Sequence, residues 1–261
     1  MMGVVFPLLA DEYVPPAIPS PITDHLALTA GYYWGQVRTS GQFNSSSGIA
    51  GSTLSAESTL GLTDQVYQPR FELMFRLRPR SKLRVNFFDV RRSGERVLDS
   101  VIRFGNLVFL PGQQVQSNVN WRQMDVTYTY SLLRFERFEL GAGLGVHLVE
   151  GQASAQFPGT AQHEKYSQAG PFATVAVDGT YLIDRHWSVN ARAQYLRIDT
   201  AKFSGLLDDF HGDVQYRWRR NLAFGASYDH ARAQITSITG NPSGYINLLF
   251  TGPEVFVRVS Y

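Results

Sequence analysis

Phe138-Glu139-Leu140-Gly141-Ala142-Gly143-Leu144-Gly145-Val146-His147-Leu148 alternates without a break. Every even position is apolar, whereas the odd positions carry Glu139, Gly141, Gly143, Gly145 and His147. Successive side chains of a strand point to opposite faces, so this stretch has one wholly apolar face and one that is polar or bare. It is also long enough to cross a bilayer, which takes about 9–11 tilted strand residues.

The pattern continues outward from there. Met124, Val126, Tyr128, Tyr130 and Leu132 oppose Asp125, Thr127, Thr129 and Ser131 just upstream. Downstream, Trp187, Val189, Ala191, Ala193 and Tyr195 oppose Ser188, Asn190, Arg192 and Gln194, and Leu222, Phe224, Ala226 and Tyr228 oppose Ala223, Gly225, Ser227 and Asp229. Tight connections at Arg78 to Lys82, Leu133 to Arg137, Asp184 to His186 and Arg217 to Asn221 join such arms in pairs. The segments between pairs, 38–68, 93–118, 151–170, 200–207 and 237–250, are longer and rich in Gly, Ser, Asn and Gln. Short turns on one rim and long loops on the other are expected of a transmembrane barrel.

Ten arms are read, at 26–37, 69–78, 82–92, 119–132, 137–150, 171–183, 187–199, 208–217, 222–236 and 253–261. An even count places both termini on the short-turn rim and leaves no unpaired edge in lipid. Residues 49–60 and 95–110 hold enough Val, Leu, Ile and Phe for further hairpins, either above the membrane or as spanning strands that would make twelve. A soluble sandwich also alternates, but its strands cluster near five or six residues. Phe135, Phe138, Tyr181, Trp187, Tyr216, Trp218 and Tyr261 sit near the short turns, as an interfacial aromatic girdle requires. The expected fold is therefore all-β, a transmembrane antiparallel β-barrel over residues 26–261, preceded by an extended N-terminal segment or leader remnant, 1–25.

Composition narrows the function. The 24 basic and 22 acidic residues nearly cancel, giving a formal charge of +2 and no case for a nucleic-acid partner. The absence of cysteine removes disulfides and thiolate chemistry. Met2 to Ala10 is too short for a membrane helix, and the following Val14 to Pro21 is broken by prolines.

The last arm carries a resemblance. Val255, Val257, Val259 and Tyr261 share one face and end on an aromatic residue. This resembles the insertion signal of bacterial outer-membrane β-barrel proteins as a broad class. The resemblance implies the outer membrane as location, with lipid and lipopolysaccharide as surroundings and the barrel-assembly machinery as a partner during insertion. It is silent about activity.

If the apolar faces meet lipid, the opposite faces meet the lumen. They supply Glu72, Arg76, Arg84, Asp125, Glu139, Asp178, Arg192, Asp213, Arg217 and Asp229. Both signs are present, so these groups either cross-link the walls or line a narrow solute path. Gly141, Gly143 and Gly145 either relieve crowding or widen the lumen. Arg76, Arg78, Arg80, Arg134, Arg137, Arg217, Arg219 and Arg220, near the short turns, read as anchors to anionic headgroups.

Catalytic signals are sparse. Asp209 and His211 project from the same strand face near the long-loop rim, and ten-stranded outer-membrane proteases of the omptin type are similar in carrying such a pair. On that resemblance Asp209 orients His211. The family's aspartate pair on the opposite wall has no counterpart, since Asp89, Glu95 and Asp99 are poor substitutes. His147 with Glu150 merits only a mutation test. No cofactor or metal motif is present. The leading expectation is a small channel or transport-associated barrel with a constricted charged lumen. The alternative is a non-conducting structural or surface-interaction barrel, binding lipopolysaccharide, a polymer or a protein through its loops. An omptin-like protease is the minor alternative.

Overall fold

The computed structural model describes residues 19–159, 163–201, 203–237 and 243–261. Met2 to Ala10 and most of the proline-broken segment lie outside them. The strands are β1 (Leu26–Phe43), β2 (Leu54–Ser55), β3 (Gln65–Arg78), β4 (Ser81–Val97), β5 (Ile102–Phe104), β6 (Leu107–Phe109), β7 (Gln114–Arg134), β8 (Phe138–Gln156), β9 (His163–Leu182), β10 (Trp187–Asp199), β11 (Phe203–Arg219), β12 (Leu222–Ser237) and β13 (Gly244–Ser260). Ten of them form an antiparallel ring in the order β1-β3-β4-β7-β8-β9-β10-β11-β12-β13, closed by β13 pairing with β1. The start of β1 and the end of β13 meet on the short-turn rim. His25 and Leu26 donate their N–H groups to the Tyr261 carbonyl at 2.7 and 2.9 Å, and Tyr261 N–H donates to the Leu26 carbonyl at 2.8 Å.

The even positions of β8 point outward, and Leu144, Val146 and Leu148 are exposed there. The same holds for Leu28 and Tyr32 on β1, Tyr128 and Tyr130 on β7, and Val255, Val257 and Val259 on β13. Together they form an apolar belt around the wall that only lipid can cover.

Most strands run further than the alternation suggests. β7 starts at Gln114 rather than 119, β9 at His163 rather than 171, and β13 at Gly244 rather than 253. Above the belt the chain meets water outside and protein inside, so the pattern inverts. On β8 the outward positions become Glu150, Gln152, Ser154 and Gln156, while Val149, Ala153 and Ala155 turn inward and are buried. On β7 the inversion falls between the buried Trp121 and the exposed Met124. A phase reversal reads as loop in the sequence, although the strand never stops.

The extra apolar stretches form extensions above the membrane, so the barrel has ten spanning strands. Leu54–Ser55 pairs with the top of β1, and β5 and β6 make a separate hairpin. Its turn needs Gly105 at φ +59, where a Cβ would also collide with the Tyr166 hydroxyl. This crown has its own core, including Leu60, Leu62, Leu98, Phe104, Phe109, Val115, Ala155 and Tyr166. Tyr166 stacks on Phe43 at 4.7 Å between ring centroids, and burial, aided by the charge of Glu164, pushes its phenol up to about 12.

On the opposite rim, the turn between β9 and β10 is closed by Asp184, whose carboxylate accepts the backbone N–H groups of His186 at 2.7 Å and Trp187 at 2.8 Å. Those bonds hold its pKa below the ordinary aspartate range. A depressed carboxylate stabilises the fold above its unfolded pKa, and that contribution is lost as pH falls through the folded value. The protection of the His186 and Trp187 amides, relative to their intrinsic exchange at the same pH, should therefore fall below about pH 4 in the native protein. In Asp184→Asn it should lose that acid step, and an unchanged step in the variant would refute the assignment.

Candidate functional site

The lumen is built in layers, beginning at the short-turn mouth. There the chain ahead of β1 turns into the barrel, burying Ser20, Ile22 and Asp24. Arg76 donates to the carbonyls of Pro21 and Asp24, each at 3.2 Å, and Arg134 donates to the Ile22 carbonyl at 2.8 Å. The Asp24 carboxylate pairs with Arg217 at 2.7 Å and with Arg258 at 3.5 Å. Thus Arg76, Arg134 and Arg217 hold an internal plug instead of lying against headgroups, because the plug's carbonyls and carboxylate offer fixed acceptors. Arg78, Arg80, Arg137, Arg219 and Arg220 do remain exposed on the rim.

Above the plug, side chains bridge strands that are far apart in the ring. Arg76 on β3 grips Glu139 on β8 through two hydrogen bonds of 2.8 and 3.0 Å. Lys82 on β4 reaches Asp178 on β9 at 2.5 Å and Glu139 at 3.4 Å. Glu72 on β3 pairs with its neighbour Arg84 at 3.1 Å and also with Arg192 on β10, five places away in the ring of ten. That last pair spans the full diameter. Arg70 on β3 joins Asp229 on β12 at 2.8 Å and Glu254 on β13 at 3.3 Å.

The bare row on β8 makes room for these bridges. A Cβ at Gly141 would enter the space of the Asp178 carboxylate, and one at Gly145 would meet Gln194 and Thr174. Gln194 in turn contacts His147 at 2.9 Å and accepts from Thr174 at 2.9 Å. The glycines relieve crowding, and the space they leave is filled. Two voids of about 50 Å³ each persist among the charged groups. Each has room for a few waters.

Asp209 and His211 both face inward, but not at an open rim. β11 begins at Phe203, several residues before the sequence pattern marks it, and His211 is consequently set inside the barrel. Its ring contacts Asp229 through Nδ1 at 2.9 Å and Asp213 through Nε2 at 3.2 Å. With both nitrogens engaged, neither is left for Asp209, which lines a void with Asp125, Arg70 and Arg192. Asp125 itself accepts from Asn86 at 2.8 Å, and Asp213 from Asn190 at 2.7 Å. His147 is fully buried on the inner face of β8, whereas Glu150 points outward toward Arg122 at 3.7 Å, so those two are separated by the wall.

An apolar layer closes the top of this network. Val37, Val66, Val90, Trp121, Val149, Leu248 and Phe250 are buried there, with Phe88 and Phe172 packed against them. Phe88 and Phe250 meet edge to face at 5.1 Å across the lumen.

Glu72, Arg76, Arg84, Asp125, Glu139, Asp178, Arg192, Asp213, Arg217 and Asp229 all turn inward and all make polar contacts in this network. Arg70, Lys82, Glu254 and Arg258 belong with them and were missed, although strand parity would have found them. They share a face with Glu72, Arg84 and, on β13, with the positions opposite Val255 and Val257. Nothing in the sequence marks Asp24 as a partner of Arg217.

No protein-family model matches the chain, and no curated protein does. Among solved structures it is similar to the outer membrane protease OmpT of Escherichia coli, with a TM-score of 0.60 and 10% identity over 90% of this chain and 97% of that one. It also matches the translocator domain of the autotransporter NalP from Neisseria meningitidis, with a TM-score of 0.43 and 9% identity over 91% and 88% of the two chains. The outer membrane protein OprG from Pseudomonas aeruginosa matches at a TM-score of 0.36 and 9% identity, over 90% and 95%. At these identities the likeness to OmpT establishes the ten-stranded fold and nothing about chemistry.

Proposed function

We propose that this bacterial outer-membrane β-barrel protein is a closed, non-conducting barrel that anchors an interaction surface outside the cell. The observation that carries the reading is the Glu72–Arg192 pair across the full lumen diameter, stacked with the Arg76–Glu139, Lys82–Asp178 and Arg70–Asp229 pairs. A solute would have to break several buried ion pairs and then part the apolar layer around Trp121 and Phe250. Both steps oppose flux. The crown supports the other half of the reading. Ile49, Val97, Val101 and Leu110 are exposed well above the lipid belt, where an apolar surface gains by binding a partner. The partner classes are lipopolysaccharide, a surface polymer or a protein, and the outward face of β13 ending at Tyr261 serves the assembly machinery during insertion.

Proteolysis is disfavoured on geometry. A histidine enclosed beneath an apolar layer, with aspartates on both ring nitrogens, has no approach for a peptide bond. A channel is tested directly. The refolded barrel in a planar bilayer should be electrically silent, and so should the folded Asp125→Asn and Arg192→Gln variants. Reproducible conductance steps whose ion selectivity changes with those substitutions would replace the closed barrel with a transport pore.

A further inference from the structure

The outward face just above the lipid belt carries five arginines: Arg38 on β1, Arg91 on β4, Arg122 on β7, Arg197 on β10 and Arg232 on β12. Three of them have carboxylates at hand. Arg91 pairs with Asp89 at 2.8 Å, Arg197 with Asp199 at 3.1 Å, and Arg122 lies 3.7 Å from both Asp89 and Glu150. Among the described residues, Arg38 and Arg232 have no carboxylate within salt-bridge distance. They also stand together. The register aligns Arg232 with Leu249 and Leu249 with Arg38, so the two guanidinium-bearing positions flank β13, about 10 Å apart across two strand spacings.

Between them lies a groove of about 390 Å³, lined by Arg38, Arg232, Asn247 and Leu249 together with the loop carboxylates Glu57 and Asp64. Glu57 is already committed, accepting the Thr39 N–H at 2.9 Å and pairing with Arg92 at 2.6 Å. That leaves Asp64 in the lining and Asp208, opposite Arg232 in the register, as the nearby carboxylates, and neither is within salt-bridge distance of Arg38 or Arg232, so both guanidiniums stay open to a ligand. Below it a polar outward row of Gln36, Thr251 and His230 leads down to Trp34, Tyr228 and then Val255, which belong to the lipid belt. Its height is that of the outer-leaflet headgroups.

We propose that this groove binds the phosphorylated sugar headgroup of an outer-leaflet glycolipid. The two free guanidiniums are suited to bidentate contacts with phosphate oxygens, while Asn247 and Ser40, which is also in the lining, match sugar hydroxyls. Leu249 forms an apolar floor, and acyl chains continue down the β13 face past Val255. The assignment deepens the lipopolysaccharide part of the proposed function and depends on the membrane placement. It does not depend on the lumen being closed, so a conducting barrel would leave it standing.

The test measures binding of the refolded barrel to a bisphosphorylated disaccharide lipid and to the same lipid after enzymatic dephosphorylation, both in identical detergent micelles. Native protein should prefer the phosphorylated form by about tenfold or more. The double variant R38A/R232A, shown to be folded by its heat-modifiable gel shift, should lose that preference, and R91A should keep it. Should the double variant not fold, R38A and R232A are measured singly, and each should lose part of it. No preference in the native protein, or an undiminished one in the arginine variants, overturns the proposal. Inorganic phosphate is titrated in a further arm, and binding as tight as that of the lipid would reassign the groove to free phosphate.

Discussion

Glu139→Ala is expected to cost about 3–5 kcal/mol of unfolding free energy, the loss typical of stranding a buried charge. Glu139 and Arg76 each expose only 1% of their side chains, so water cannot replace the missing partner. The carboxylate serves several donors at once: both terminal nitrogens of Arg76, the Lys82 ammonium at 3.4 Å, and the Ser131 hydroxyl. Its removal leaves the Arg76 guanidinium without its carboxylate, while Lys82 keeps Asp178. It also loosens the plug, because Arg76 holds the carbonyls of Pro21 and Asp24 with the same guanidinium. Urea unfolding in lipid vesicles measures the effect, and a change smaller than about 0.5 kcal/mol would contradict it. The double variant R76M/E139M separates charge from packing. If stranded charge is the cause, removing both partners should be far milder than removing Glu139 alone.

The second large effect tests the membrane face. Leu144 is 66% exposed at the middle of the belt portion of β8. Leu144→Arg should destabilise the barrel in lipid by about 2–4 kcal/mol, the depth-dependent cost of a cation on the lipid side of a barrel. Gln152 lies on the same outward face of the same strand, above the belt. Gln152→Arg should change stability by no more than about 0.5 kcal/mol. Equal effects at the two positions would mean that the apolar face of β8 does not meet hydrocarbon.

The contrast between Leu144 and Gln152 also explains why the strands are longer than the alternation suggests. Apolar-out alternation is a response to lipid on one side, and it holds only across the belt. Where β7 passes from Met124 to Trp121 the surroundings exchange, and the apolar residues move to the inner face. The segments 93–118 and 151–170 therefore read as polar loops, although much of each is strand. His211 reads as lying near a rim for the same reason. The missing start of β11 made its position look like the end of the wall.

The lumen shows where reading from one strand stops. Parity says that Glu72 and Arg192 face inward, because each alternates with residues that face lipid. It does not say that they touch. Their contact exists because ring closure sets β3 opposite β10, across 120 residues of chain. The docking of Asp24 on Arg217, 193 residues away, depends on closure in the same way. Class, turn rim and the facing of each belt residue were determined by the sequence alone, since the solvent beside a residue selects its polarity one position at a time. Which charges pair, that they fill the lumen, and that Arg38 and Arg232 share one groove were decided only by the tertiary structure, since these depend on distances that arise when the sheet closes on itself.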